Sequence, residues 1–320
     1  MIDPLKRWRQ YGEKPDYAGP LSFGDLRYTE DPEDLVGVDV AIVGAPMDDL
    51  VSGRPGARFA PRAIRAAGRP SGPHLDTGVD AFAALDIVDF GDAPVLPGDV
   101  ETSRRAIEET VAQVVDAGTV PIVLGGDHSV TEPNVRALAG RTHSVGLIHF
   151  DAHADTFPEV LGSALSHGTP MYRLVEAGHV DPLRYVQIGL RGYSPSHDVR
   201  AWQTARGIRS VSMQDLRIRG IRDAIEFAVR IVDDGPAFLT VDVDVLDPAF
   251  APGTGTPEPG GMTAAELLWA VRTVAESVNL VGADVVEVIP TAVGSADVTA
   301  LVADRIVREM LTGIALSRSQ

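Results

Sequence analysis

The stretch from Ser144 to Asp155, SVGLIHFDAHAD, decides how the rest of the chain is read. From Val145 to Phe150 it is apolar almost without a break, the pattern of a strand buried on both faces of a parallel sheet. After Phe150 the character changes, and Asp151, His153 and Asp155 alternate with alanine. In an extended segment residues two apart project to one side, so these three groups can converge on a point. Carboxylates brought that close repel each other unless a cation lies between them. The triplet therefore reads as a metal-binding segment at a strand's end. His149 shares its parity but lies deeper in the apolar run, and it reads as a packed core histidine.

Working outward, similar short apolar runs recur: VDVAIVGAP from Val38, LDIVDFGD from Leu85, TVPIVLGG from Thr119, YVQIGL from Tyr185, FLTVDVDVL from Phe238 and NLVGADVVEVIP from Asn279. Between them, helical spacing appears near 60–67, 103–117, 130–139, 221–234, 264–278 and 297–315. Alternating β and α segments predict an α/β chain with a mainly parallel sheet covered by helices on both sides. In such sheets ligands sit beyond the carboxyl ends of the strands, so polar residues at those ends are the candidates for function. No repeat, linker or charge block divides the 320 residues, and a single domain over 1–320 is the simpler expectation.

Composition excludes several classes. Lys+Arg 28 against Asp+Glu 45 leaves a formal charge of −17, opposite to the concentrated basic surface that a nucleic-acid backbone requires. There is no cysteine, hence no disulfide, thiolate ligand or Cys nucleophile, and any metal must sit on oxygen and imidazole. No segment approaches the roughly 18 apolar residues of a membrane span, and the first residues do not read as a signal peptide. Cytoplasm is the expected location, with no membrane or nucleic-acid partner.

A second strand end repeats the pattern of the first. Phe238 to Val241 leads into Asp242-Val243-Asp244, two carboxylates expected to face one way and to need a cation. Asp247, an odd step further on and followed by proline, reads as a turn residue. The third piece is Gly125-Gly126-Asp127-His128-Ser129 after the strand ending at Leu124, where glycines let backbone approach a ligand closely. Taken alone His128 divides evenly between a ligand and a helix-start residue, and Asp127 is expected to orient a neighbour from behind. Two imidazoles and four carboxylates (His128, His153, Asp151, Asp155, Asp242 and Asp244) exceed what one ion needs. Shared between two ions about 3.5 Å apart they would make a two-metal hydrolytic site. Oxygen-rich ligands with some nitrogen and no sulfur favour Mn²⁺ over softer metals.

These motifs resemble those of the ureohydrolases, the arginase and agmatinase family. The matching segments are GRPGARFAPRAIR from Gly53, GGDHS from Gly125, DAHAD from Asp151, SHGTP from Ser166 and DVDVLDPAFAPGTGTPEPGG from Asp242, with the last most like agmatinase and related guanidino-acid hydrolases. The resemblance implies a three-layer α/β/α fold around a sheet of about eight strands, residues 1–35 forming an N-terminal extension. It implies two Mn²⁺ per subunit, one held by His128, Asp151, Asp155 and Asp242 and the other by His153, Asp151, Asp242 and Asp244. By the same resemblance Asp155 also accepts a hydrogen bond from a bridging hydroxide, His167 shuttles a proton to the leaving amine, and Glu287 binds the guanidinium. Read without the resemblance, His167 and Glu287 look like surface residues.

The chemistry implied is release of urea from a small cationic guanidino compound. Agmatine comes first, giving putrescine as in polyamine biosynthesis, and 4-guanidinobutyrate or another guanidino acid second. Two-metal phosphoester hydrolysis and a metal-binding relative without turnover are the rival readings. Segments 46–52 and 290–296 depart from the agmatinase-like pattern and are expected near the pocket mouth, with loops 156–166 and 192–198 selecting the substrate tail and Tyr193 and His197 as possible contacts. The family resemblance also implies a homo-oligomer, a trimer or hexamer.

Overall fold

The computed structural model describes residues 6, 18–68, 72–193, 196–291 and 297–319. The apolar runs form strands: Val40–Gly44 (β2), Ile87–Asp92 (β3), Val120–Leu124 (β4), Val145–Phe150 (β5), Val180–Ile188 (β6), Pro236–Asp242 (β8) and Asn279–Val286 (β9), joined by short Arg27–Tyr28 (β1) and Arg209–Val211 (β7). They make one nine-stranded sheet in the order β1-β3-β2-β4-β9-β8-β5-β6-β7, and every pairing is parallel. The apolar runs account for seven of the nine strands, near the eight that the resemblance implies, and the other two, β1 and β7, are two and three residues long and show no periodicity. Residues 18–35, expected as an extension, put Phe23 into the core and β1 onto the sheet edge.

Successive strand residues feed opposite faces, which is why the runs are apolar throughout. Ile42, Leu124, Phe150 and Val241 pack with Leu267 and Val271 of helix Ala264–Ser277 and Ile306 and Met310 of helix Val298–Ser317. Ala41, Val123, Leu147 and Phe238 pack on the other face with Ile107 and Val111 of helix Val100–Asp116 and Leu174 of helix Pro170–Glu176. Each large aliphatic group so buried contributes about 1.5–3 kcal/mol relative to exposure. A capping box, Thr263 with Glu266, starts the first of these helices, and the Asp297 carboxylate caps the second.

The order of the central strands positions the site. The chain passes from β4 to β5, leaving room between them that β9 and β8 later fill. Four strands distant in sequence thereby end side by side, and the residues following their carboxyl ends meet in one crevice.

Candidate metal centre and active site

His128 leaves β4 in a single 3-10 turn, His128–Val130, whose cap is Asp127. Gly126 is required just before it, since a Cβ there would come within 1.7 Å of the Met47 carbonyl oxygen. Asp127 ties this turn to the 47–50 loop by accepting from the Ser129 and Leu50 amides. It does not touch the His128 ring, contrary to its expected orienting role; the ring's Nε2 lies instead 2.9 Å from Thr240 Oγ1.

His128 Nδ1 lies 3.0 Å from Asp151 Oδ2, 2.9 Å from Asp155 Oδ2 and 3.4 Å from Asp242 Oδ2. On the other side, His153 Nδ1 lies 2.9 Å from Asp244 Oδ2 and 3.5 Å from Asp151 Oδ1. The two oxygens of Asp151 thus face different histidines, as a bridging carboxylate would. All six predicted ligands converge, but not by the alternation of an extended strand. β5 stops at Phe150, Asp155 has a left-handed backbone (φ 47°), and Asp244 lies in the 3-10 turn Val243–Val245. Turns immediately beyond the strands bring the side chains together.

The donor set fits divalent ions. His128 Nδ1 is buried and has no aligned hydrogen-bond partner although three carboxylate oxygens surround it. Donor atoms spaced about 3 Å apart match the edges of an octahedron with bonds of about 2.1 Å. Burial, together with the charges of Asp244 and Asp151, pushes the Asp242 carboxyl well up, and burial beside Asp151 lifts Asp244 to about 6. His128 is drawn well above the ordinary imidazole range against its burial, through Asp151, Asp155 and Asp242. Positive charge is what this cluster lacks.

His149 is buried as expected, yet it is more than packing. Its Nε2 lies 2.8 Å from Asp151 Oδ2 and its Nδ1 2.9 Å from the Tyr185 hydroxyl. Parity with Asp151 and His153 was the signal for this link. Asp247 is a turn residue as predicted, accepting from the Ala249 and Gly260 amides.

Glu287 follows β9 directly, with φ 63°. Its Oε1 accepts from the His128 amide and lies 2.9 Å from His167 Nδ1, while its buried Oε2 has no partner. His167 and Glu287 are therefore buried residues of the site. Burial would lower the His167 pKa, but the Glu287 carboxylate outweighs it and raises the imidazolium to about 9. His167 Nε2 meets Ser52 Oγ at 2.6 Å, so the unusual 46–52 segment reaches the site through a residue that carried no motif.

A cavity of about 300 Å³ opens onto the cluster, bordered by Ser52, Phe157, Glu159, Val160, His167 and Thr256 beside His153, Asp155 and Asp242. Loop 156–166 contributes to its wall as predicted. Tyr193 and the His197 side chain are almost fully exposed and do not border it. The Thr291 amide and hydroxyl donate to the Asp297 carboxylate, whereas 292–296 lie outside the described residues.

The arginase family model matches residues 38–313. The chain is 44% identical to the guanidinopropionase of Pseudomonas aeruginosa over 96% of each chain. It is 40% identical to the mitochondrial agmatinase of Gallus gallus, covering 86% of this chain and 81% of that one. Among solved structures, proclavaminate amidinohydrolase from Streptomyces clavuligerus superposes with a TM-score of 0.88 at 35% identity, covering 95% of this chain and 100% of that one.

Proposed function

The chain belongs to the arginase family and is a hydrolase of C–N bonds in guanidino compounds, and from that premise we propose that it releases urea from agmatine with two Mn²⁺ ions at its centre. The observation that carries this reading is Glu287 Oε2, a buried carboxylate oxygen without a partner, held beside His167, which itself borders the cavity next to the six-ligand cluster. A guanidinium supplies N–H donors in a planar fork that such an oxygen lacks.

In this proposal His128, Asp151, Asp155 and Asp242 hold one ion, and His153, Asp151, Asp242 and Asp244 the other. A pair of divalent ions so held would supply an ionised water at neutral pH, which a delocalised guanidinium carbon needs because neutral water attacks it too slowly. Glu287 binds and orients the guanidinium, and Asp155, at the cavity wall, accepts a hydrogen bond from the attacking oxygen. His167, held as imidazolium by Glu287, carries its transferable proton at Nε2 and gives it to the amine nitrogen as the C–N bond breaks. The Ser52 amide, which donates to Nε2 at 3.1 Å in the structure, would hold the ring once that proton has left.

The tail is read from the cavity wall. No Lys or Arg borders it among the described residues, and Glu159 stands at its rim, which suits an amine tail better than a carboxylate. The 44% identity to a guanidinopropionase favours a second reading, a guanidino acid. Urea release measured across agmatine, 3-guanidinopropionate, 4-guanidinobutyrate and arginine with added Mn²⁺ tests both. Agmatine should turn over with the highest kcat/KM, and turnover of none by metal-loaded protein would reject the reading.

We also propose that the whole chain forms one domain and assembles as a trimer or hexamer, for which light scattering is the check. A chain without cysteine suits the reducing cytoplasm we assign it; among the described residues no helix is long and apolar enough to cross a membrane.

A further inference from the structure

Beneath the centre, a largely apolar sheet is crossed by a row of polar side chains. Asp284 on β9 is in register with Thr240 on β8, Thr240 with His149 on β5, His149 with Gln187 on β6, and Gln187 with Ser210 on β7. The first four are fully buried. Burying polar groups in mid-strand is costly unless each is bonded, so four of them buried side by side on adjacent strands call for a purpose. It touches the candidate ligands at two points, Thr240 under His128 and His149 under Asp151.

The direction of the bonds can be worked out from the Asp284 end. As a carboxylate Asp284 only accepts, taking bonds at Oδ2 from Thr131 Oγ1 at 2.8 Å and Asn134 Nδ2 at 2.9 Å, and Thr131 Oγ1 in turn meets Thr240 Oγ1 at 3.5 Å. A hydroxyl has one proton. Thr131 commits its proton to Asp284, so Thr240 is the donor between the two threonines and its oxygen can only accept from His128, which places the ring hydrogen on Nε2. With a cation in place of the second ring proton, Nδ1 would present its lone pair where Asp151, Asp155 and Asp242 converge.

We infer that Asp284 and Thr240 are positioning residues that fix the His128 tautomer and ring angle, presetting Nδ1 as a metal ligand. Ligand histidines depend on such partners for orientation and basicity, and losing one typically lowers metal affinity by about 10–100-fold. The inference rests on the metal-centre reading above.

The test is Mn²⁺ binding by calorimetry and electron paramagnetic resonance on the full chain, comparing wild type with Thr240→Val and Thr240→Ser. Valine keeps the shape and removes the hydroxyl. It should weaken one of two Mn²⁺ sites by about 10–100-fold, so that limiting metal gives an isolated Mn²⁺ signal instead of a coupled pair. Serine should restore both sites. The metal-free melting temperature of each variant reports whether packing alone has changed. Asp284→Asn, which keeps size and removes the obligate acceptor, should weaken the same site and serves if valine prevents folding. Two wild-type affinities in Thr240→Val, or in Asp284→Asn where that variant stands in, would overturn the inference while leaving the centre intact. A wild-type protein that takes up no Mn²⁺ would overturn both.

Discussion

His167 Nδ1 lies 2.9 Å from Glu287 Oε1, and the same oxygen accepts the backbone amide of His128. One carboxylate thus joins the proposed proton donor, the proposed metal-ligand turn and, through its other oxygen, the proposed substrate. Anything that disturbs Glu287 should be felt in all three.

Imidazole titration followed by NMR is the first check. His167 should lose its proton near pH 9 in wild type, and Glu287→Gln should bring that midpoint down. The sign follows from linkage: a pKa raised in the folded state gives stability fully present below the unfolded value of about 6.5 and lost as pH rises through the folded value. The stability gap between wild type and Glu287→Gln in denaturant should accordingly shrink between about pH 6.5 and pH 9. A gap that stays constant over that window would show that the pair is not charged as described.

Metal removal should act on fold as well as on rate. Four buried aspartates face one another at the centre, so chelation should lower the melting temperature and abolish urea release, and Mn²⁺ should restore both. Asp155→Ala should fold and lose activity by at least about a thousandfold, since it removes a ligand and a partner of the attacking oxygen together. Elemental analysis of that variant should show fewer than two Mn²⁺ per chain.

Tail preference should respond to the rim. Glu159→Gln should lower kcat/KM for agmatine by about threefold to tenfold and leave 4-guanidinobutyrate equal or improved, a rim-exposed charge being worth roughly 1 kcal/mol. Equal losses on both substrates would remove Glu159 from tail selection.

Gly255 lies where a Cβ would come 3.2 Å from Glu287 Oε2 and 3.2 Å from the Arg54 carbonyl oxygen. Gly255→Ala should crowd the guanidinium site, raising KM by at least about tenfold, while Mn²⁺ content stays at the wild-type level. Steady-state kinetics beside elemental analysis separates this from loss of metal.

The fold was legible where strands are long and buried, because near-continuous apolar runs such as Val145–Phe150 have one common explanation. It was illegible at β1 and β7 and at the seven-residue helices Pro170–Glu176 and Met213–Arg219, which are too short to show a period. The six ligand candidates announced themselves by clustering at strand ends, although the turn geometry that joins them did not. Ser52, Thr240 and Asp284 gave no sign. Each is a single polar residue whose partner is chosen by pairing between distant strands or loops, and nothing local encodes that choice.

Asp155 and Glu287 both hold left-handed backbone that non-glycine residues adopt at a cost of about 1–3 kcal/mol. Glycine at either place would relieve that strain, so natural drift toward a sturdier molecule has an easy route open to it. Taking that route deletes a carboxylate from the reaction. Durability and turnover are therefore set against each other at the same two backbone angles, and a search for heat-resistant variants that ignores activity should converge on inert ones.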